Sequence, residues 1–150
     1  MRVALSAARY VVVVALSIWL SACMSVPVGQ YSLDAYRNAT SLKAETLDLL
    51  GKSGEPFSQH KAEVEALNVK IDAAYEFSAG LPNNKLSAQQ WAILRDPQGG
   101  LYGGYIRTWE AQRTVSAFFR QRATAQVGAA FDEIICLEAN KQTPTKCGAN

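Results

Sequence analysis

From Phe57 to Tyr75 the apolar residues fall at intervals of three and four. Phe57, His60, Val64, Leu67, Ile71 and Ala74 or Tyr75 make one stripe, and Lys61, Glu63, Glu65, Lys70, Asp72 and Glu76 lie mostly on the other side. That period describes a helix with one buried face. Pro56 suits its first turn, where a missing N–H costs nothing. Gly80 fits the left-handed closing residue, with Leu81 packing back and Pro82 preventing continuation. Tyr36, Ala39, Leu42, Thr46, Leu49 and Leu50 repeat the pattern, predicting a helix from Ser32 or Asp34 to about Leu50, stopped by Gly51 and Gly54. A third long helix is predicted from about Val115 to Asn140. It would present Phe119, Ala123, Val127, Ala130 or Phe131, Ile134 and Leu137 to the first two.

Between the second and third long helices the signals are local. Ser87 and Gln90 match a capping box, and Leu86 with Trp91 the accompanying hydrophobic staple, so a short helix should begin at Ala88. Asp96-Pro97-Gln98-Gly99-Gly100 is a turn sequence that ends it. Helix is expected again from Leu101 or Tyr105 to Gln112. No segment alternates with period two for long enough to demand a strand, and there is no internal repeat. The expected fold is all-α: a small antiparallel bundle of three long helices plus one or two short ones.

The N-terminus obeys different rules. Residues 1–22 contain no Asp or Glu, carry Arg2 and Arg9, and run apolar from Tyr10 to Leu20. That is the grammar of a secretory signal, with an apolar run about half the ~20 residues a membrane-crossing helix needs. It ends in Leu20-Ser21-Ala22-Cys23, which resembles the lipobox of bacterial lipoproteins: an aliphatic residue, two small ones and an acceptor cysteine. The resemblance implies that Cys23 receives a diacylglyceryl group and becomes the first residue of the mature chain. A thiolate is the strong nucleophile such a transfer needs. Each buried methylene contributes ~0.8 kcal/mol, and two or more acyl chains hold a protein stably on a membrane. In the enteric pattern of that family an Asp after the cysteine retains the protein at the inner membrane. Here Met24 and Ser25 follow, which favours the periplasmic face of the outer membrane. Residues 23–30 then read as a lipidated terminus and tether, broken by Pro27 and Gly29, and 31–150 as one periplasmic domain.

Without residues 1–22 the chain is long enough for one core and too short for two. Of the 15 Lys and Arg, Arg2 and Arg9 belong to the export segment, so the remainder equals the 13 Asp and Glu. A neutral domain offers no electrostatic case for nucleic acid. Three cysteines are an odd number for an exported protein. With Cys23 assigned to lipid, Cys136 and Cys147 are left to bridge in an oxidising compartment, pinning the tail onto the last helix.

Side chains with chemical potential are few. The glycines of Asp96 to Gly104 could cradle a phosphate, but the Lys-Ser/Thr ending of a P-loop is missing and no strand precedes them. A turn that lets helices approach closely explains them as well. Asp72 with Glu76, and Asp132 with Glu133, pair carboxylates that should face water. His60, the one histidine, sits at a stripe position; it implies no metal site, and no cofactor motif is present. The densest feature is aromatic and basic. Trp91, Tyr102, Tyr105, Trp109, Phe118 and Phe119 are interleaved with Arg95, Arg107, Arg113, Arg120 and Arg122, against Asp96 and Glu110. Such a region could be core aromatics beneath a solvated basic face. It could also be a surface for an acidic partner, a lipid headgroup or a glycan, with Trp91, Arg95, Tyr102, Tyr105, Arg107, Trp109, Arg113 and Arg120 as candidates. No nucleophile, base and orienter come together, so binding is expected rather than catalysis. The leading expectation is a membrane-anchored interaction or assembly module with an envelope protein partner, comparable in anchoring and size to pilotin-type lipoproteins. The alternative is a binder of a small ligand, lipid or envelope glycan.

Overall fold

The computed structural model describes residues 29–141, 143, 146 and 147. The export segment, Cys23 and residues 24–28 lie outside the described residues, as does Pro144. Five helices and one short turn of 3-10 helix follow in order: α1 (Leu33–Gly51), the 3-10 turn (Lys52–Gly54), α2 (Phe57–Gly80), α3 (Lys85–Arg95), α4 (Tyr102–Gln112) and α5 (Ala117–Ala139). Three are long and two short, as the periodicity predicts.

The helices form four antiparallel legs. α1 runs from one end, near Gly29, to the other. α2 returns. α3 and α4 together make the third leg, and α5 returns again, making its main contacts with α1 and α3. The expectation that α5 packs on both of the first two helices is therefore half right, because α2 stands diagonally across the bundle. The third leg is broken where Asp96 initiates a turn: its carboxylate accepts from Gln98 N–H at 2.9 Å and its carbonyl from Gly99 N–H at 3.0 Å. α4 restarts beside this turn in very close contact with it. A Cβ on Gly104 would collide with the Gly99 carbonyl oxygen, and one on Gly103 with the carbonyl of Arg95. These two glycines are the reason a broken leg can still pack as one.

The core is built from the predicted stripes. Ala39, Leu42, Leu49 and Leu50 of α1 meet Val64, Leu67, Ile71 and Ala74 of α2, with Val127, Phe131 and Ile134 from α5. Trp91 and Trp109, the largest side chains, are fully buried, one in each half of the third leg. Trp91 meets Phe131 edge to face at 5.7 Å, and Trp109 meets Phe57 the same way at 5.4 Å. Trp109 also donates its indole N–H to the Glu55 carbonyl at 3.0 Å, so its one polar atom is satisfied.

Four local expectations need correction. Gly80 stays helical; the left-handed residue is Asn83 at φ 57°, in a turn that Asn84 N–H closes on the Leu81 carbonyl. α3 starts at Lys85, not Ala88, and Ser87 is no cap: it is buried, and its hydroxyl accepts from Lys141 at 3.1 Å. Leu86 is exposed, so no staple forms with Trp91. A long-range partner has taken the side chain that local spacing assigns to a cap. Finally, Phe119 belongs to the surface and not to the buried face of α5.

Candidate functional site

The eight residues singled out from the sequence do not form one site. Trp91, Tyr105 and Trp109 are core and offer no face to a partner. Arg95, Tyr102 and Arg107 line a cleft at the break in the third leg. Arg113 and Arg120 lie at one end of the bundle, beside the start of α5.

The cleft is an open cavity of about 610 Å³ between α2 and the α3–α4 turn, floored by Ile71 and Ile106 and edged by Asp72, Asp96 and Glu110. It exists because α4 restarts out of line with α3. Arg95 is held on one wall: its guanidinium contacts the Asp72 carboxylate at 2.6 Å and lies 3.8 Å above the Tyr75 ring. Arg107 donates to the Gln98 side-chain carbonyl at 2.6 Å on the other. Tyr102 is buried except for a hydroxyl that donates to Asn68 Oδ1 at 2.7 Å, and burial pushes its pKa up, so it stays a neutral donor. Arginines opposite carboxylates around an apolar floor can hold a small polar or zwitterionic molecule. They supply no activated nucleophile.

The paired acids are held by cations or face water. Asp72 is engaged by Arg95, Asp132 by Lys43, and Glu76 is exposed. His60 bridges Glu55 at 2.8 Å and Glu63 at 3.1 Å and packs against Trp109. Its hydrogen bonds to Glu63 and Glu55 raise its pKa, and those from Lys52 and His60 lower that of Glu63. This is a structural clasp between α2 and the chain before it. Among the described residues no group of three His, Cys, Asp or Glu is placed to hold a metal ion.

The two ends of the bundle carry what the sequence hid. At the first, Gly29 packs on the carbonyl of Pro82, and Cys136 and Cys147 lie at disulfide distance with Cα atoms 5.8 Å apart. Lys141, inside the loop that this pair closes, is buried together with Glu138. Its ammonium sits 2.8 Å from Glu138 Oε2 and donates to Asn84 Oδ1 and Ser87 Oγ. Asn84 in turn donates to the Ser78 carbonyl at 3.0 Å. Among the described residues Lys141 is the sole counter-charge of that carboxylate.

At the far end, Phe57 N–H donates to the Arg113 carbonyl and Val115 N–H to the Ser53 carbonyl, each at 2.8 Å, tying the α4–α5 loop to the 3-10 turn. Ser116 caps α5 by accepting from Phe119 N–H. Phe118 and Phe119 then stand on the surface. Phe119 stacks nearly parallel to Tyr105 with ring centroids 5.6 Å apart, and Arg122 lies 5.8 Å above the Phe118 ring.

Comparison with protein-family models, curated proteins and solved structures finds no match to this chain.

Proposed function

We propose that the chain is a lipid-anchored protein of the bacterial envelope, held by Cys23 on the periplasmic face of the outer membrane, whose helical domain works as an interaction or assembly module. One observation carries this reading: the residue that leads back to Cys23 and the exposed phenylalanines with arginines that meet no carboxylate among the described residues lie at opposite ends of the bundle. Six peptide units from Cys23 to Gly29 reach at most about 20 Å. The end bearing Gly29, the α2–α3 turn and the cysteine pair therefore stays near the lipid headgroups. α2 extends the domain by about 36 Å away from it. Phe118, Phe119 and the arginines beside them are carried on the distal end, where a partner in the periplasm can reach them.

The test is attachment. Cells fed an alkyne-tagged fatty acid should label the wild-type chain and not Cys23→Ala, and the label should fractionate with outer-membrane markers. An unlabelled wild type, or one found with inner-membrane markers, would refute the anchor or its address respectively.

The cleft supports a second reading, binding of a small polar ligand or glycan unit, because its volume is in the range of small-molecule sites and charged groups of both signs border it. A panel of envelope sugars and amino acids that leaves the melting temperature unchanged would remove it.

A further inference from the structure

Among the described residues six Lys and Arg side chains are matched to acids. Lys43, Lys52, Lys61, Lys70, Arg95 and Lys141 each lie within 4 Å of a carboxylate. Of the basic side chains with no carboxylate within that distance among the described residues, three, Arg113, Arg120 and Arg122, fall in one stretch between Glu110 and Asp132 that holds no Asp or Glu. Glu110 turns to the cleft on the other side of α4. Arg120 and Arg122 belong to the first turns of α5, whose N-terminus adds positive potential of its own, and Arg113 to the loop that leads into it. Between Arg113 and Arg120 in the chain stands Phe118, 71% exposed and the most exposed large apolar side chain described, next to Phe119 at 43%. A single exposed aromatic needs no explanation. Two adjacent ones, with Arg122 over one of the rings and nearby arginines that meet no carboxylate among the described residues, form a surface with both an apolar anchor and an unanswered charge.

We propose that the α4–α5 loop and the first turns of α5 dock an acidic protein segment, with an apolar side chain of that segment seated on Phe118 and Phe119 and its carboxylates on Arg113 and Arg122. Arg120 is half-buried against Gly54 and the Val115 carbonyl and shapes the surface from below. The choice of a protein over an anionic membrane rests on the anchoring reading above, because this surface lies at the end of the bundle opposite Gly29. Electrostatic matching of this kind sets partner choice and encounter rate, while the aromatic contact supplies the affinity.

The test uses the purified full chain in nonionic detergent, with a fluorescent random copolymer of Glu and Tyr as probe. Wild type should bind it, and both Arg113→Glu/Arg122→Glu and Phe118→Ser should weaken binding about tenfold or more with unchanged circular dichroism and melting temperature. Absence of wild-type binding, equal binding by both variants, or displacement of the copolymer by short-chain phosphatidylglycerol at equal charge would overturn the proposal. Membrane fractionation separates the two readings. A chain that binds the copolymer but is recovered as soluble protein refutes the anchor alone, and a membrane-bound chain that ignores the copolymer refutes the docking surface alone.

Discussion

The two ends of this bundle handle charge in opposite ways. At the end near Gly29 the charged groups are buried and paired: Glu138 lies against Lys141, with neither of its oxygens hydrogen-bonded among the described residues, Lys141 donates to Asn84 and Ser87, and Asn84 to the α2 terminus, with the cysteine pair holding the segment in place. At the far end Arg113, Arg120 and Arg122 meet no carboxylate among the described residues, and Phe118 and Phe119 are exposed. Buried charges give little net stability when paired but penalise any loss of a partner, so the first end is committed to one structure. The second end keeps its binding groups available.

Substitutions should separate the two ends sharply in stability. The largest effect is expected from Lys141→Met, which leaves the Glu138 carboxylate buried without its cation; urea denaturation should register a loss of about 3–5 kcal/mol. Replacing Cys136 and Cys147 by Ser opens a loop with a sequence separation of 11, which should cost about 3 kcal/mol on the chain-entropy model. The third leg should be next: Gly104→Ala drives a Cβ into the Gly99 carbonyl, and about 1–3 kcal/mol is the usual cost of forced overpacking. If Gly104→Ala were neutral in the melt, close approach would not explain the glycine.

The clasp at the far end should be modest and dependent on pH. His60 is raised above its ordinary 6.5, so its contribution is full below that value and is lost as the pH rises through the folded pKa. Glu63 is lowered below 4.5, so its share is present above that value and fades as the pH falls through the folded pKa. Both act together between about pH 4.5 and 6.5. His60→Gln should therefore reduce the melting temperature more at pH 5.5 than at pH 8, and a penalty that grows with pH would reverse the assignment. Smallest of all, Phe118→Ser and Arg122→Glu should change stability by less than about 0.5 kcal/mol, the range for surface positions. A destabilisation comparable with that of Lys141→Met would make the far end structural and dissolve the contrast.

What could be read from the sequence follows the range over which each feature is encoded. The long stripes of α1, α2 and α5, the turn at Asp96 and the close approach at the glycines are local, and the spacing of residues is enough to reveal them. The pairing of Cys136 with Cys147 was accessible by elimination once Cys23 had a role. The Glu138–Lys141 cluster was not, because its other members, Asn84 and Ser87, lie more than fifty residues away. Ser87 even advertises a cap that tertiary contact overrides. The far end was half visible. The aromatic and basic composition stood out, but periodicity places Phe119 in the core, and only the packing distinguishes it from Trp109. A sequence signal did exist in the absence of any acid between Glu110 and Asp132.

Photocrosslinking in intact envelopes tests the central claim most directly, with benzoylphenylalanine introduced at Tyr31 beside Gly29 and, separately, at Phe118. Both positions are exposed. The account predicts lipid adducts at Tyr31 and a protein adduct at Phe118, mapped to a segment rich in Asp and Glu. Lipid adducts at Phe118, or protein adducts confined to Tyr31, would contradict it.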